Sequence, residues 1–408
     1  MDSVVDEKLP TLADIQEAAG TLAGVALRTP LLPALELGRQ IGADLFLKCE
    51  NLQKTGSFKL RGAYNRIRSL SPQQRQRGIV AASAGNHAQG VALASREMGV
   101  KSTIVMPAAA PMVKVEATRA LGAQVELYGR DFDQAYRYME KLRVERGATL
   151  VHPFNDPLVI AGQGTIALEI LEELDDLDLV VVPVGGGGLI GGVAVAVKEM
   201  SPKTRVVGVQ AAAAPALYRS WLAGRLLTVP PDVTLADGLA VKEPQDITFR
   251  LVQKYVDDLV VVDEEEIARA ILLLLEGAHL LVEGAGAVTL AALLSRKVRG
   301  RKVAIILSGG NIDGNVLARI IERGMVSDGR YLRISTRLMD RPGELQGLLN
   351  IVADHGANVI GVHHNRLYGD VSWGETEVEL LLQTENHEHI GRILAAIRVA
   401  GFPCREIR

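Results

Sequence analysis

The sequence predicts an α/β protein: a doubly wound, mostly parallel sheet architecture followed by a smaller βαββαβ module of different character. Three observations carry this. Short runs rich in β-branched residues recur between helix-forming stretches, those runs are continuously apolar, and beyond residue 330 the pattern turns to alternation of apolar and charged side chains. Continuous apolar runs are the mark of strands buried on both faces, whereas alternation marks a sheet with one covered and one wet face.

Taken in order, the strands of the first region are 79–82, 102–106, 124–128, 179–184, 205–210, 259–262 and 302–307. The segments between them, such as Gln89 to Met98 and Pro111 to Leu121, have helix-forming composition and enough length for crossovers, as parallel strands require. In such sheets a ligand lies outside the carboxyl ends of the strands. Ser83, Gly185 and Ser308 each follow a strand directly, where that rule places a site.

A short polar, glycine-bearing segment, Gly324 to Gly329, separates this region from the second. There 331–338 reads as a strand, 344–355 as an amphipathic helix, 358–367 and 375–384 as strands, 386–400 as a helix and 403–407 as a last strand. Val378, Leu380 and Leu382 alternate with Glu377 and Glu379, and the order is that of a ferredoxin-like unit.

A chain of 408 residues accommodates two or three domains. With 45 basic and 48 acidic residues the net charge is −3, and no basic block argues for nucleic acid or an anionic membrane as partner. The two cysteines, Cys49 and Cys404, form neither a disulfide framework nor a zinc motif, which fits a reducing cytosol. Met1 to Pro10 carries three acidic residues and no apolar core, unlike a signal peptide. The most apolar helix-like stretch, Ile267 to Val282, is interrupted by Arg269, Glu276 and His279 and is too short for a bilayer. A soluble, cytoplasmic protein is the expectation.

Four constellations offer chemistry. Ser57-Phe58-Lys59-Leu60-Arg61-Gly62-Ala63 sets one lysine where it is either a solvated helix-start residue or a nucleophilic amine, and burial and a neighbouring cation lower a lysine's pKa. Gly185, Gly186, Gly187 and Gly188, with Leu189 opening a helix, let backbone N–H groups crowd an anion unless they form a plain tight turn; a dinucleotide would need a different spacing. Ser83, Asn86 and His87 lie in a turn that opens a helix, whose N–H groups can receive a carboxylate; His87 is equally suited to packing or capping. Ser308-Gly309-Gly310-Asn311 completes the set, and Glu283 reads either as a helix-start carboxylate or as a group beside a ligand.

In their order along the chain the four motifs, together with Ile160-Ala161-Gly162-Gln163-Gly164-Thr165, resemble the fold-type-II pyridoxal-phosphate enzymes, a family that includes threonine and serine dehydratases, serine racemase and the tryptophan synthase β chain. The likeness covers about residues 10 to 325 and is strongest to the threonine dehydratases. It implies a tryptophan synthase β-like fold with two open α/β subdomains, the smaller at about 65–155 within a catalytic domain 1–325. It also implies pyridoxal phosphate held covalently by Lys59, packed by Phe58, with its phosphate on Gly185 to Leu189, its phenolic oxygen on Asn86 and its ring nitrogen on Ser308. The substrate carboxylate would be met by Ser83, Asn86 and His87, and no metal is called for.

The implied reaction is deamination of L-threonine to 2-oxobutanoate and ammonia, with L-serine as second substrate. Racemases carry a serine where this chain has Ala84, and carboxylates in the segment that reads Gln210 to Ala216 here. Both departures disfavour serine racemase, which stays as an alternative beside a serine-specific dehydratase, a cysteine-synthase-like enzyme and a non-catalytic sensor. Asp340-Arg341-Pro342-Gly343 at the first turn of the second module resembles an ACT domain, placed at 330–408. That implies an amino-acid effector, isoleucine or valine, near Asp340, Gly343 and Asn358, and a homo-oligomer, dimer or tetramer; a tail that only dimerises is the competing reading. Both isoleucine biosynthesis and threonine breakdown fit.

Overall fold

Fourteen strands and their helices form three sheets in the computed structural model, which describes residues 8–366 and 372–407. The chain divides into two compact units, Met1–Asp313 and Gly314–Arg408. The first seven residues of the expected N-terminal segment, and position 367 at the end of an expected strand, lie outside the described residues.

The first unit holds two sheets. The larger has the order β1-β2-β10-β7-β8-β9, with β1 Leu31–Pro33, β2 Asp44–Lys48, β7 Leu179–Pro183, β8 Arg205–Ala211, β9 Asp258–Val262 and β10 Lys302–Ile306. Only β1 runs antiparallel. The smaller is fully parallel, in the order β5-β4-β3-β6, with β3 Ile79–Ala82, β4 Ser102–Met106, β5 Gln124–Leu127 and β6 Thr149–Leu150. The continuous apolar runs have the expected cause: every residue of β3, β4 and β7 is buried, because helices cover both faces of the inner strands. One apolar core packs the large sheet against helices Pro157–Glu173 and Gly188–Met200, and two others lie on the small sheet.

The second unit contains β11 Tyr331–Met339, helix Glu344–Asp354, β12 Asn358–Asn365, β13 Glu375–Gln383, helix His387–Val399 and β14 Cys404–Glu406. Its antiparallel sheet has the order β12-β13-β11-β14. Val378, Leu380 and Leu382 of β13 meet Leu348, Val352, Ile393 and Ile397 of the helices in its core, while Glu377 and Glu379 face the other way.

The expected break at Gly324 to Gly329 falls later than the sequence indicated. Helix Gly314–Ser327 runs through Gly324, an amphipathic helix carrying past its glycine, and only 328–330 connect it to β11. The helix read from Gln89 begins at Asn86, and the apolar stretch from Ile267 is helical only to Gly277. Among the described residues no helix is long and apolar enough to cross a membrane.

Candidate functional site

The strand-end motifs meet at the junction of the two sheets of the first unit. Lys59 opens helix Lys59–Arg68, and the residues before it are tied to the end of β10: Phe58 N donates to Ser308 O (3.1 Å), Gly310 N to Gly56 O (2.9 Å), and Ser57 bridges Gly309. Helix Asn86–Glu97 closes on the same point, where Gly90 is required because a Cβ there would lie 2.9 Å from the Lys59 carbonyl carbon.

Side chains knit these segments together. Asn311 Nδ2 donates to Thr55 O (2.9 Å) and to Asn86 Oδ1 (2.8 Å), and Asn86 Nδ2 donates to Glu283 Oε1 (2.6 Å). Glu283 does stand at the start of helix Gly284–Leu294, yet its side chain makes no cap and turns to Asn86.

Lys59 Nζ donates to Pro153 O (3.1 Å) and lies 5.1 Å from the centre of the Phe58 ring. Burial pulls its pKa down to about 8, with Glu283 opposing. The neighbouring cation contributes none of this, because Arg61 is neutralised by Glu50 and Glu169. A lysine near 8 is an available nucleophile and base at neutral pH.

Two sets of backbone N–H groups await an anion. After β7, Gly187 takes φ +91°, and the helix begins at Gly188, one residue earlier than read. Gly186, Gly187, Gly188 and Leu189 are buried, yet among the described residues no acceptor takes the N–H of any residue from Gly185 to Leu189. Buried unpaired N–H groups are rare in proteins, and a row of them at a helix N-terminus suits an anion such as a phosphate. After β3 the N–H groups of Ala84, Asn86 and His87 are likewise free, while Gly85 N donates to Ser83 Oγ (3.2 Å).

The His87 ring turns inward instead, with Nε2 donating to Val151 O (2.8 Å), and burial holds its pKa down at about 3. His152, which the motifs did not single out, accepts at Nδ1 from Asn155 N (2.8 Å) and is held near 4 by burial and by Lys59. Both rings are therefore neutral at pH 7. The buried Ser57 Oγ and Asn155 Oδ1 lack partners. These orphaned atoms, the N–H cradle and an amine of lowered pKa fit an anionic aldehyde cofactor, with Gly185 to Leu189 for its phosphate and Lys59 for its carbonyl carbon.

This arrangement fits a pyridoxal-phosphate site, and a model of the pyridoxal-phosphate dependent enzymes matches residues 22–309. The chain belongs to that family and is a pyridoxal-phosphate-dependent enzyme. It is 54% identical to the L-threonine ammonia-lyase of Thermotoga maritima over 396 residues, 97% of this chain and 99% of that one. The L-threonine ammonia-lyase of Geobacter sulfurreducens is 47% identical over 95% of this chain and 97% of its own. Among solved structures, maize serine racemase superposes with a TM-score of 0.74 at 36% identity, covering 78% of this chain and 99% of that one.

Glu283 gives a prediction. Burial, then Asp237, raise its pKa to about 7, against the lowering pull of Asn86, Lys114 and Lys59. The folded value lies above the unfolded one near 4.5, so the folded state binds the proton more tightly, and stability falls as pH rises from about 4.5 through 7. Glu283→Gln removes that loss. Its thermal midpoint is expected to gain on the parent's by a few degrees between pH 5 and 8, and a pH-independent difference would refute the buried-carboxyl account.

Proposed function

We propose that the chain deaminates L-threonine to 2-oxobutanoate and ammonia, and L-serine to pyruvate, in a catalytic domain spanning about 1–325. The observation that carries this is the packing of Lys59 between two unpaired N–H rows: it bonds Pro153 O, whose neighbour Phe154 lies against Gly186 and Gly188 of the row for a cofactor phosphate, and it lies against Gly90 of the helix that opens with the row for a substrate carboxylate. The identity to two L-threonine ammonia-lyases supports the choice of substrate. When bound, pyridoxal phosphate supplies an electron sink for the charge left at Cα.

The chain's own residues do the rest. The N–H groups of Ala84, Asn86 and His87 hold the carboxylate, with Ser83 Oγ bracing the turn. Asn86, fixed between Glu283 and Asn311, would hold the phenolic oxygen, and Phe58 would pack beside the cofactor. The neutral Lys59 amine takes the Cα proton. The buried Ser308 hydroxyl would hold the ring nitrogen; unlike a carboxylate it would support no full positive charge there, which would favour prompt loss of the β-hydroxyl as water. Hydrolysis returns one water, so the net products are the keto acid and ammonia. Ala84 offers no proton for the second face of Cα, against a racemase.

The second unit is read as an ACT module at 330–408 that binds isoleucine or valine, in a cytoplasmic homo-oligomer. Gly343, at φ +95°, opens helix Glu344–Asp354; Asp340 Oδ1 accepts from Arg366 Nε (3.0 Å), and Asn358 opens β12. A steady-state assay of keto acid from threonine and serine, with and without each effector, tests both parts. Threonine is expected to yield 2-oxobutanoate, with negligible D-serine formed from L-serine. Racemisation as fast as elimination would overturn the reaction. Isoleucine or valine is expected to shift the threonine curve by a coupling of about 1 to 3 kcal/mol, and Asp340→Ala to abolish that shift. Superimposable curves would overturn the effector.

A further inference from the structure

The net charge of −3 conceals one basic run. Arg296, Lys297, Arg299, Arg301 and Lys302 fill five of the seven positions 296–302, which the expectation of no basic block passed over. In the fold this run enters the inner strand β10 at its N-terminal end, the end opposite Ser308. Helix Leu35–Ile41 brings Arg39 to the same end, just before β2. β2 and β10 are parallel neighbours with Asp44 opposite Lys302, so their N-terminal ends lie side by side.

A cavity of about 400 Å³ opens there, walled by Arg39, Arg296, Val298 and Arg299, and no acidic residue lines it. Lys297 is paired with Glu266 (2.6 Å) and Arg39 with the exposed Glu36 (3.1 Å). The Arg296 and Arg299 guanidinium groups have no ion pair or hydrogen bond among the described residues. Arg296 also holds φ +57° just after helix Gly284–Leu294, a place that usually takes glycine. Two helices end here, and each end favours a cation. The third arginine and the concavity are unexplained by that.

We propose that this cavity binds a small anion bearing several phosphate charges. Three guanidinium groups around one concavity suit a di- or trianion better than a single carboxylate. The volume is that of a small-metabolite site, and no aromatic side chain lines it to stack the bases of a nucleic-acid strand.

The test is calorimetric titration of the full-length holoenzyme, whose glycine cradle is already filled, with tripolyphosphate and, in parallel, a nucleoside triphosphate. Saturable binding of either is expected, at least tenfold weaker in Arg296→Ala and in Arg299→Ala. Basal turnover and thermal midpoint should be unchanged in both variants, since these side chains hold nothing else. The ratio of the two affinities tells whether the phosphate chain alone is recognised. No saturable binding, or equal binding by parent and variants, would overturn the site. A single-stranded oligonucleotide that bound more tightly than both probes, with the same arginine dependence, would overturn the small-ligand class.

Discussion

Lys59→Ala is expected to lower kcat/KM for threonine by at least about 10³, the scale of a lost proton-transfer group, and to abolish the covalent hold on pyridoxal phosphate. The fold should survive, because the side chain makes a single hydrogen bond, to Pro153 O. A cation at the first position of a helix opposes the helix dipole, and this one also loses solvation. The apoprotein variant is therefore expected to be more stable than the parent at pH 7, by roughly 1 kcal/mol, the scale of a charge set against a helix dipole. Loading of the parent apoprotein gives the pH signature. The neutral amine attacks the aldehyde, so the loading rate should climb about tenfold per pH unit below the pKa and level off near pH 8 rather than near 10.5. Near-normal turnover in Lys59→Ala would remove it from the chemistry, and a plateau near 10.5 would refute its burial.

What the sequence disclosed followed from local rules. Inner parallel strands are buried on both faces and leave apolar runs, and the glycine run and the Ser83 turn announce N–H groups because each opens a helix, whose first N–H groups have no intrahelical acceptor. Elements without such a signature were missed. β1 is three residues ending in Pro33, β6 is two residues, and β2 begins with Asp44 and ends with Lys48. Long-range polar contacts were also hidden. Asn86 and Glu283 are 197 positions apart, so no spacing rule could choose between the two readings of Glu283. His87 could be assigned to the turn but not its ring to Val151, which depends on how β6 is followed in space. The basic run at 296–302 was visible but averaged away by the near-balanced total.

The largest stability effect is expected at Arg61, two residues beyond Lys59. Its guanidinium is almost fully buried and grips two carboxylates, Glu50 (2.7 and 2.9 Å) and Glu169 (2.5 and 3.0 Å), while the buried Lys48 Nζ reaches Glu169 at 2.6 Å. Two cations and two anions thus cancel, three of the four side chains buried and Glu169 partly so. Burial works against the charged form of Glu50, but Arg61 and Thr29 outweigh it and hold its pKa below the usual range. That contribution is present above the unfolded value near 4.5 and lost as pH falls through the folded one. Arg61→Met would leave a net buried negative charge, and breaking a buried pair in this way costs about 3 to 5 kcal/mol. The thermal midpoint is expected to fall on the order of 10 °C. Arg61→Lys should recover only part of this, because one ammonium cannot fork to two carboxylates. Adding Glu50→Gln to Arg61→Met should also restore part of the loss, by removing the stranded charge. An Arg61→Met midpoint equal to the parent's would mean that the network adds nothing to the fold, and that the start of helix Lys59–Arg68 is held by the Phe58 to Ser308 bond and the packing of Gly90 alone.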